Sequence, residues 1–186
     1  IKDITKLIED YDLGIALDKI YNFIWNEFCD WYIEICKTRI YSENSEERVQ
    51  VDFVLDYVLR NALKLLHPFM PFVTAEIYSK LVHYDDIDIM MSNWPEYREI
   101  PQFENEEETI EKLKDIIVDI RNTRANMNVH PSKKTKLIFV TEDYKKAIEE
   151  SEEFLKKLGF ATDIKIQKDK NGIPENAIAI LKDGIE

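Results

Sequence analysis

The sequence predicts a mainly α-helical protein: an antiparallel helical bundle followed by a small α+β subdomain with a roughly three-stranded sheet. Three observations carry this. Through about residue 100, apolar residues recur at three- and four-residue spacing and no alternating pattern interrupts them. Beyond about residue 130, short runs rich in β-branched and aromatic residues appear between helical patterns. Of 186 residues, 45% are hydrophobic, while only four are Gly and six Pro, a composition that favours packed elements over low-complexity chain. Two domains are expected, 1–100 and 101–186.

The elements follow in order. Residues Asp3 to Asp10 can form a short helix. Asp12 is a candidate N-cap for a long helix running to about Ile40, with Ile20, Ile24, Phe28, Trp31 and Ile35 on one face. Tyr21, Trp25 and Tyr32 widen that apolar surface. A polar break at Tyr41–Ser45 precedes a second helix to Leu66, with Val51, Val54, Leu55, Val58, Leu59, Ala62 and Leu65 inward. Pro68 and Pro71 cannot both continue it, and Pro71 suits the first turn of a third helix ending near Val82. Residues 83–101 read as irregular. A helix over about 104–126 carries a dense charged face. Strands are expected over about 135–140, 162–168 and 176–182. Thr141 should start a helix with Glu142 and Asp143 in its first turn, ended by Gly159 as a left-handed cap. Asn171-Gly172 signals a turn.

Several chemistries find no support. The net charge of −12 argues against a blanket electrostatic grip on nucleic acid, so any such site must be a local patch. Cys29 and Cys36 sit two helical turns apart, about 10 Å, too far for a disulfide, and no Cys/His cluster suggests zinc. Buried thiols in a reducing compartment are expected. No phosphate loop, dinucleotide fingerprint, metalloprotease motif or nucleophile elbow occurs. His67, His83 and His130 fall in separate segments; His67, before a proline at a helix break, reads as structural. No catalytic or metal-binding residue is assigned. The acidic run Glu106–Glu108 reads as a solvated face. No signal peptide and no membrane-length apolar run is visible, and the chain opens Ile1-Lys2-Asp3, which fits a cytoplasmic piece of a longer protein with no membrane partner.

Three stretches carry a family resemblance. They are Ala16–Glu34 with Lys37, containing Phe-Cys-Asp-Trp-Tyr-Ile-Glu; Leu65–Tyr78, containing His-Pro-Phe-Met-Pro; and Ile120–Lys134, containing Arg-Asn-Thr-Arg-Ala-Asn-Met-Asn-Val. Together they resemble the anticodon-binding region of the valyl branch of the class I aminoacyl-tRNA synthetases. The resemblance covers most of residues 11–140. The second stretch also resembles the leucyl and isoleucyl branches; the first and third point to the valyl one. The fold it implies is the anticodon-binding bundle of class I synthetases. The parent it implies is an ATP-dependent valine-tRNA ligase, using ATP and Mg. This chain carries neither the family's nucleotide-binding motifs nor its editing domain, so it is expected to be inactive alone and to hold no cofactor. Its expected partners are valine tRNA, at the anticodon loop and stem, and the remainder of the synthetase chain. The alternatives are the same region of an isoleucyl- or leucyl-type enzyme, or a helical protein-interaction domain without RNA binding.

Two surfaces are candidates for RNA. Asn26, Asp30, Glu34 and Lys37 project along one polar stripe. Asp30 and Glu34 can accept from an exocyclic amine, and Asn26 can pair with adenine, which suits a valine anticodon ending in adenine and cytosine. A solvated helix face is the alternative. Trp31 is either core or stacking platform. The second surface is the run from Arg121 to Val140, with Arg121, Arg124, Lys133, Lys134 and Lys136 and no acid. It is expected to meet backbone phosphates; alternatively the arginines pair with acids between Glu104 and Asp119 or brace the fold.

Overall fold

The computed structural model describes residues 1–81, 88–98, 103–175, 177–182 and 185. The chain divides into two compact units, Ile1–Ile100 and Pro101–Glu186.

Among its described residues unit 1 consists of helices joined by turns and irregular chain. Helix α1 (Lys2–Glu9) ends in a turn whose left-handed residue is Tyr11, with φ 63°. The Asp12 amide closes that turn on the Leu7 carbonyl at 2.8 Å. Helix α2 (Leu13–Asn22) follows. Asp12 sits at its N-cap, but its side chain makes no capping bond; only its carbonyl takes part, accepting from Ala16 at 3.0 Å. The expected long helix is continuous to Ile40, but its middle, Phe23–Ile33, is a π-helix before α3 (Glu34–Ile40) resumes. Phe23, Trp25, Phe28, Trp31 and Tyr32 all fall in the π stretch.

Helix α4 (Ser45–Leu66) is capped by Asn44, whose Oδ1 accepts from the Glu46 amide at 3.1 Å. Its inner side buries Val51, Ala62, Leu63 and Leu65, whereas Val54 is exposed. Helix α5 (Pro71–Tyr78) begins at the proline and stops four residues short of Val82, which lies outside the described residues, as does His83. The break between α4 and α5 is held by Thr74, which is fully buried. Its Oγ1 donates its one proton to the Met70 carbonyl at 2.8 Å and accepts from His67 Nδ1 at 2.7 Å. Two cores form: Ile4, Ile20 and Leu65, and Leu63, Tyr78 and Ile89. Trp94 ties the irregular segment back by donating Nε1–H to Thr5 Oγ1 at 2.9 Å.

Unit 2 is built on helix α6 (Glu104–Asn126), which buries Leu113, Ile116, Ile117 and Ile120. Strand β1 (Thr135–Val140) pairs in parallel with β2 (Ala161–Gln167), and helices α7 (Lys145–Glu150) and α8 (Glu152–Leu158) form the crossover. Phe139, Ile148, Phe154, Leu155 and Leu158 complete the core.

Three expectations change here. Thr141 does not start a helix: its amide extends the ladder to the Gln167 carbonyl at 3.1 Å, so helical geometry waits until Lys145. Gly159 is the C-cap at φ −85°, and the left-handed position belongs to Phe160 at φ 54°. Glycine is needed at 159 for another reason: a Cβ there would lie 2.8 Å from the Leu155 carbonyl oxygen and 3.3 Å from Leu137 Cδ1. The sheet has two strands among the described residues, not three. Residues 177–181 make no ladder with β1, and Asn176 lies outside the described residues. Residues of β1, with Ile173, Pro174 and residues 177–180, instead line a cavity of about 660 Å³. The tail is held by Lys182, whose Nζ lies 3.4 Å from both Asp115 and Asp119 on α6. The Asn171-Gly172 turn forms, with Gly172 at φ 76°.

Candidate nucleic-acid interface

In unit 1 the candidate stripe runs through the π-helix into α3. Asn26 and Asp30 are exposed. Asn26 Nδ2 donates to Asn22 Oδ1 at 3.0 Å, which leaves the Asn26 carbonyl oxygen and the Asn22 amide group facing solvent as an acceptor–donor pair. Glu34 and Lys37 are half-buried and hydrogen-bonded to each other. Glu34 therefore meets an outside amine only by sharing its carboxylate with Lys37. Trp31 is half-buried. Asn26 and Asp30 are the open members of the stripe.

Tyr21 and Trp25, read from the sequence as part of the helix's apolar surface, are not covered within their unit. Tyr21 and Trp25 stack on one another, ring centroids 6.3 Å apart and planes within 5°. They remain 58% and 56% exposed. The four-residue spacing was visible, but it reads equally as core, and only burial separates the two. Phe28 and Tyr32 form a second stacked pair, with Phe28 buried.

Both cysteines are free. Burial pushes the Cys36 thiol above its usual range, against the opposing pull of Tyr32 and Arg39. Burial, and then the Asp30 carboxylate, push Cys29 up. Both are protonated near neutrality and unsuited to nucleophilic work.

In unit 2 the basic run divides. Arg124 is 8% exposed. Its guanidinium donates to Thr135 Oγ1 at 3.0 Å, to the His130 carbonyl at 3.3 Å and to the Lys133 carbonyl. It also lies 5.5 Å from the Phe160 ring centroid. Arg124 thus braces the loop, the second of the two readings open for the arginines. Arg121 is half-buried; its Nε donates to the Leu158 carbonyl at 2.9 Å and its head lies 5.8 Å from the same ring. The acids of α6 pair with lysines: Glu108 with Lys112, Glu111 with Lys114, and Asp115 and Asp119 with Lys182.

Lys133, Lys134 and Lys136 are exposed, and no ion pair of theirs occurs among the described residues. Helix α6 ends in a paired turn, Val129 N–H to the Arg124 carbonyl and Asn128 N–H to the Ala125 carbonyl, both 2.9 Å, with Asn128 left-handed at φ 54°. That turn starts the loop that carries the lysines. The strand register then puts Lys136 opposite Asp163 and Ile138 opposite Lys165, so exposed Lys165 shares the face of Lys136. Lys165 lies far from the basic run in sequence, and only the pairing brings it near.

Among the described residues no group of three His, Cys, Asp or Glu side chains could hold a metal ion. No helix there is long and apolar enough to cross a membrane.

Residues 1–139 match the family described as the anticodon-binding domain of tRNA ligase. The chain is 43% identical over 188 residues to a valine–tRNA ligase of Clostridium acetobutylicum, covering 100% of this chain and 21% of that protein. The figures for the enzyme of Clostridium tetani are 38% over 186 residues, 100% and 21%. For that of Geobacillus stearothermophilus they are 43% over 145 residues, 77% and 16%. The chain spans about a fifth of the length of the first two relatives. On the match over residues 1–139, this chain belongs to the family of anticodon-binding domains of tRNA ligases.

Proposed function

We propose that this chain recognises the anticodon arm of valine tRNA on behalf of a valine-tRNA ligase of which it is one part. The relatives named above are valine–tRNA ligases, which supports valine over the isoleucyl and leucyl alternatives. Unpaired anticodon bases stack on the Tyr21–Trp25 platform, while Asn26 and Asp30 read base edges, Asp30 accepting from a cytosine amine and Asn26 pairing with adenine. Glu34, Lys37 and Trp31 border that surface. Lys133 and Lys134, with Lys136, take backbone phosphates, Arg121 and Arg124 holding the surface behind them. The helices of unit 1 run antiparallel, as in the bundle the family resemblance implies.

The parent enzyme works in the cytoplasm and uses ATP and magnesium to join valine to its tRNA; no step of RNA binding proposed here runs through either. The observation that carries the reading is an exposed aromatic pair beside open base-reading groups, in a chain of this family. A gel-shift titration of the chain with a valine tRNA transcript, and with one whose anticodon bases are exchanged, tests it. The reading expects about tenfold weaker binding or more for the exchanged transcript, at 1–3 kcal/mol per lost base contact. Equal affinity for both would overturn it.

A further inference from the structure

Arg124 is a charged residue inside unit 2, and its partners show what it organises. Two of its three acceptors, the carbonyls of His130 and Lys133, belong to the loop between α6 and β1, and the third, Thr135 Oγ1, stands at the start of β1. On its other side lies Phe160, the residue of the turn into β2 that adopts φ 54°. A left-handed backbone is unfavourable for phenylalanine and persists only where its surroundings hold it. The Phe160 carbonyl in turn accepts from the Thr135 amide at 3.1 Å. Loop, strand start and opposing turn therefore meet at the Arg124 guanidinium, with Arg121 against the same Phe160 ring. The loop so held carries Lys133 and Lys134 outward.

We infer that Arg124 is a positioning residue for RNA binding: it fixes the backbone of residues 130–135 so that the Lys133 and Lys134 ammonium groups are presented together to adjacent phosphates. This rests on the reading of the lysines as the phosphate contact. Arg124 touches no RNA; it reduces the ordering that the loop must undergo on binding. Lysine cannot replace it, because a point charge cannot span the three acceptors or stack flat on the ring.

The test compares four proteins in equilibrium binding to valine tRNA transcript from low to moderate salt: the chain itself, K133A/K134A, R124K, and the triple variant. K133A/K134A should flatten the slope of log K against log salt by about two, for two phosphate contacts. R124K keeps the formal charge, yet should weaken binding roughly three- to tenfold and flatten the slope by about one, as contacts become partial. Adding R124K to the double variant should change little further, because it acts through those lysines. A purely structural role would lower the folded fraction and leave the slope untouched. If R124K does not fold, as judged by circular dichroism, F160L supplies the same comparison by removing the ring from under the guanidinium. A wild-type slope in R124K, or F160L in its place, beside a flattened slope in K133A/K134A overturns the positioning role alone. An unchanged slope in K133A/K134A overturns the phosphate reading and this inference with it.

Discussion

The guanidinium carbon of Arg124 stands 5.5 Å from the centroid of the Phe160 ring, joining the end of α6 to the turn that enters β2. Arg124→Met would keep most of the packing and remove every donor. Thr135 Oγ1 and the carbonyls of His130 and Lys133 would lose their partner. Unit 2 should lose about 2–4 kcal/mol, since bonds to a charged donor are worth more than neutral ones. Urea unfolding followed by far-ultraviolet circular dichroism measures this. A loss under about 0.5 kcal/mol, the range of ordinary surface substitutions, would contradict the brace.

Trp25 makes the opposite case, because it is 56% exposed and stacks on the similarly exposed Tyr21. Trp25→Ala should move the unfolding midpoint little. Its effect should fall on RNA: about five- to a hundredfold weaker binding of valine tRNA, at 1–3 kcal/mol per stacked base. Fluorescence anisotropy with labelled transcript reads it. Unchanged affinity would remove the platform from the interface.

Alkaline pH probes the burial of Tyr32 and Cys36 where the π-helix passes into α3. Burial raises the Tyr32 phenol from 10.0 to about 12, the nearby Cys36 adding to the rise. Burial likewise raises the Cys36 thiol from 9.0. Both groups are neutral when protonated, and both hold their protons more tightly folded than unfolded. Their contribution is whole below the unfolded values and is lost as pH rises through the folded ones. The urea midpoint of unit 1 should hold steady from pH 7 to about 8.5 and fall between roughly pH 9 and 12. Tyr32→Phe should soften the upper part of that fall. A midpoint that stays level or rises through this window would contradict the assignment.

Much of the fold was legible because local rules governed it. Pro71 opened α5, and α6 and β1 ran to the residues their patterns marked. What escaped depended on partners distant in sequence. Thr141 carries a helix-start pattern, yet Gln167 takes its amide. Gly159 reads as a left-handed cap, yet its requirement is the close approach of Leu137 and the Leu155 carbonyl. The segment 176–182 reads as a strand, but pairing with β1 is a tertiary matter and does not form among the described residues. In the interface, residue chemistry was legible and orientation was not. Lys133 reads as a phosphate contact and Arg124 as either a contact or a brace; in the structure Arg124 is 8% exposed and Lys133 is open. The π-helix left no local signature beyond its density of aromatic residues.

Chemical probing of base edges in valine tRNA, with and without the chain, bears most directly on anticodon recognition. Dimethyl sulfate modifies the Watson–Crick edges of unpaired adenine and cytosine. Saturating chain should protect the adenine and cytosine that end the anticodon, and Trp25→Ala should weaken that protection. Anticodon bases that stay fully reactive under saturation would contradict the account.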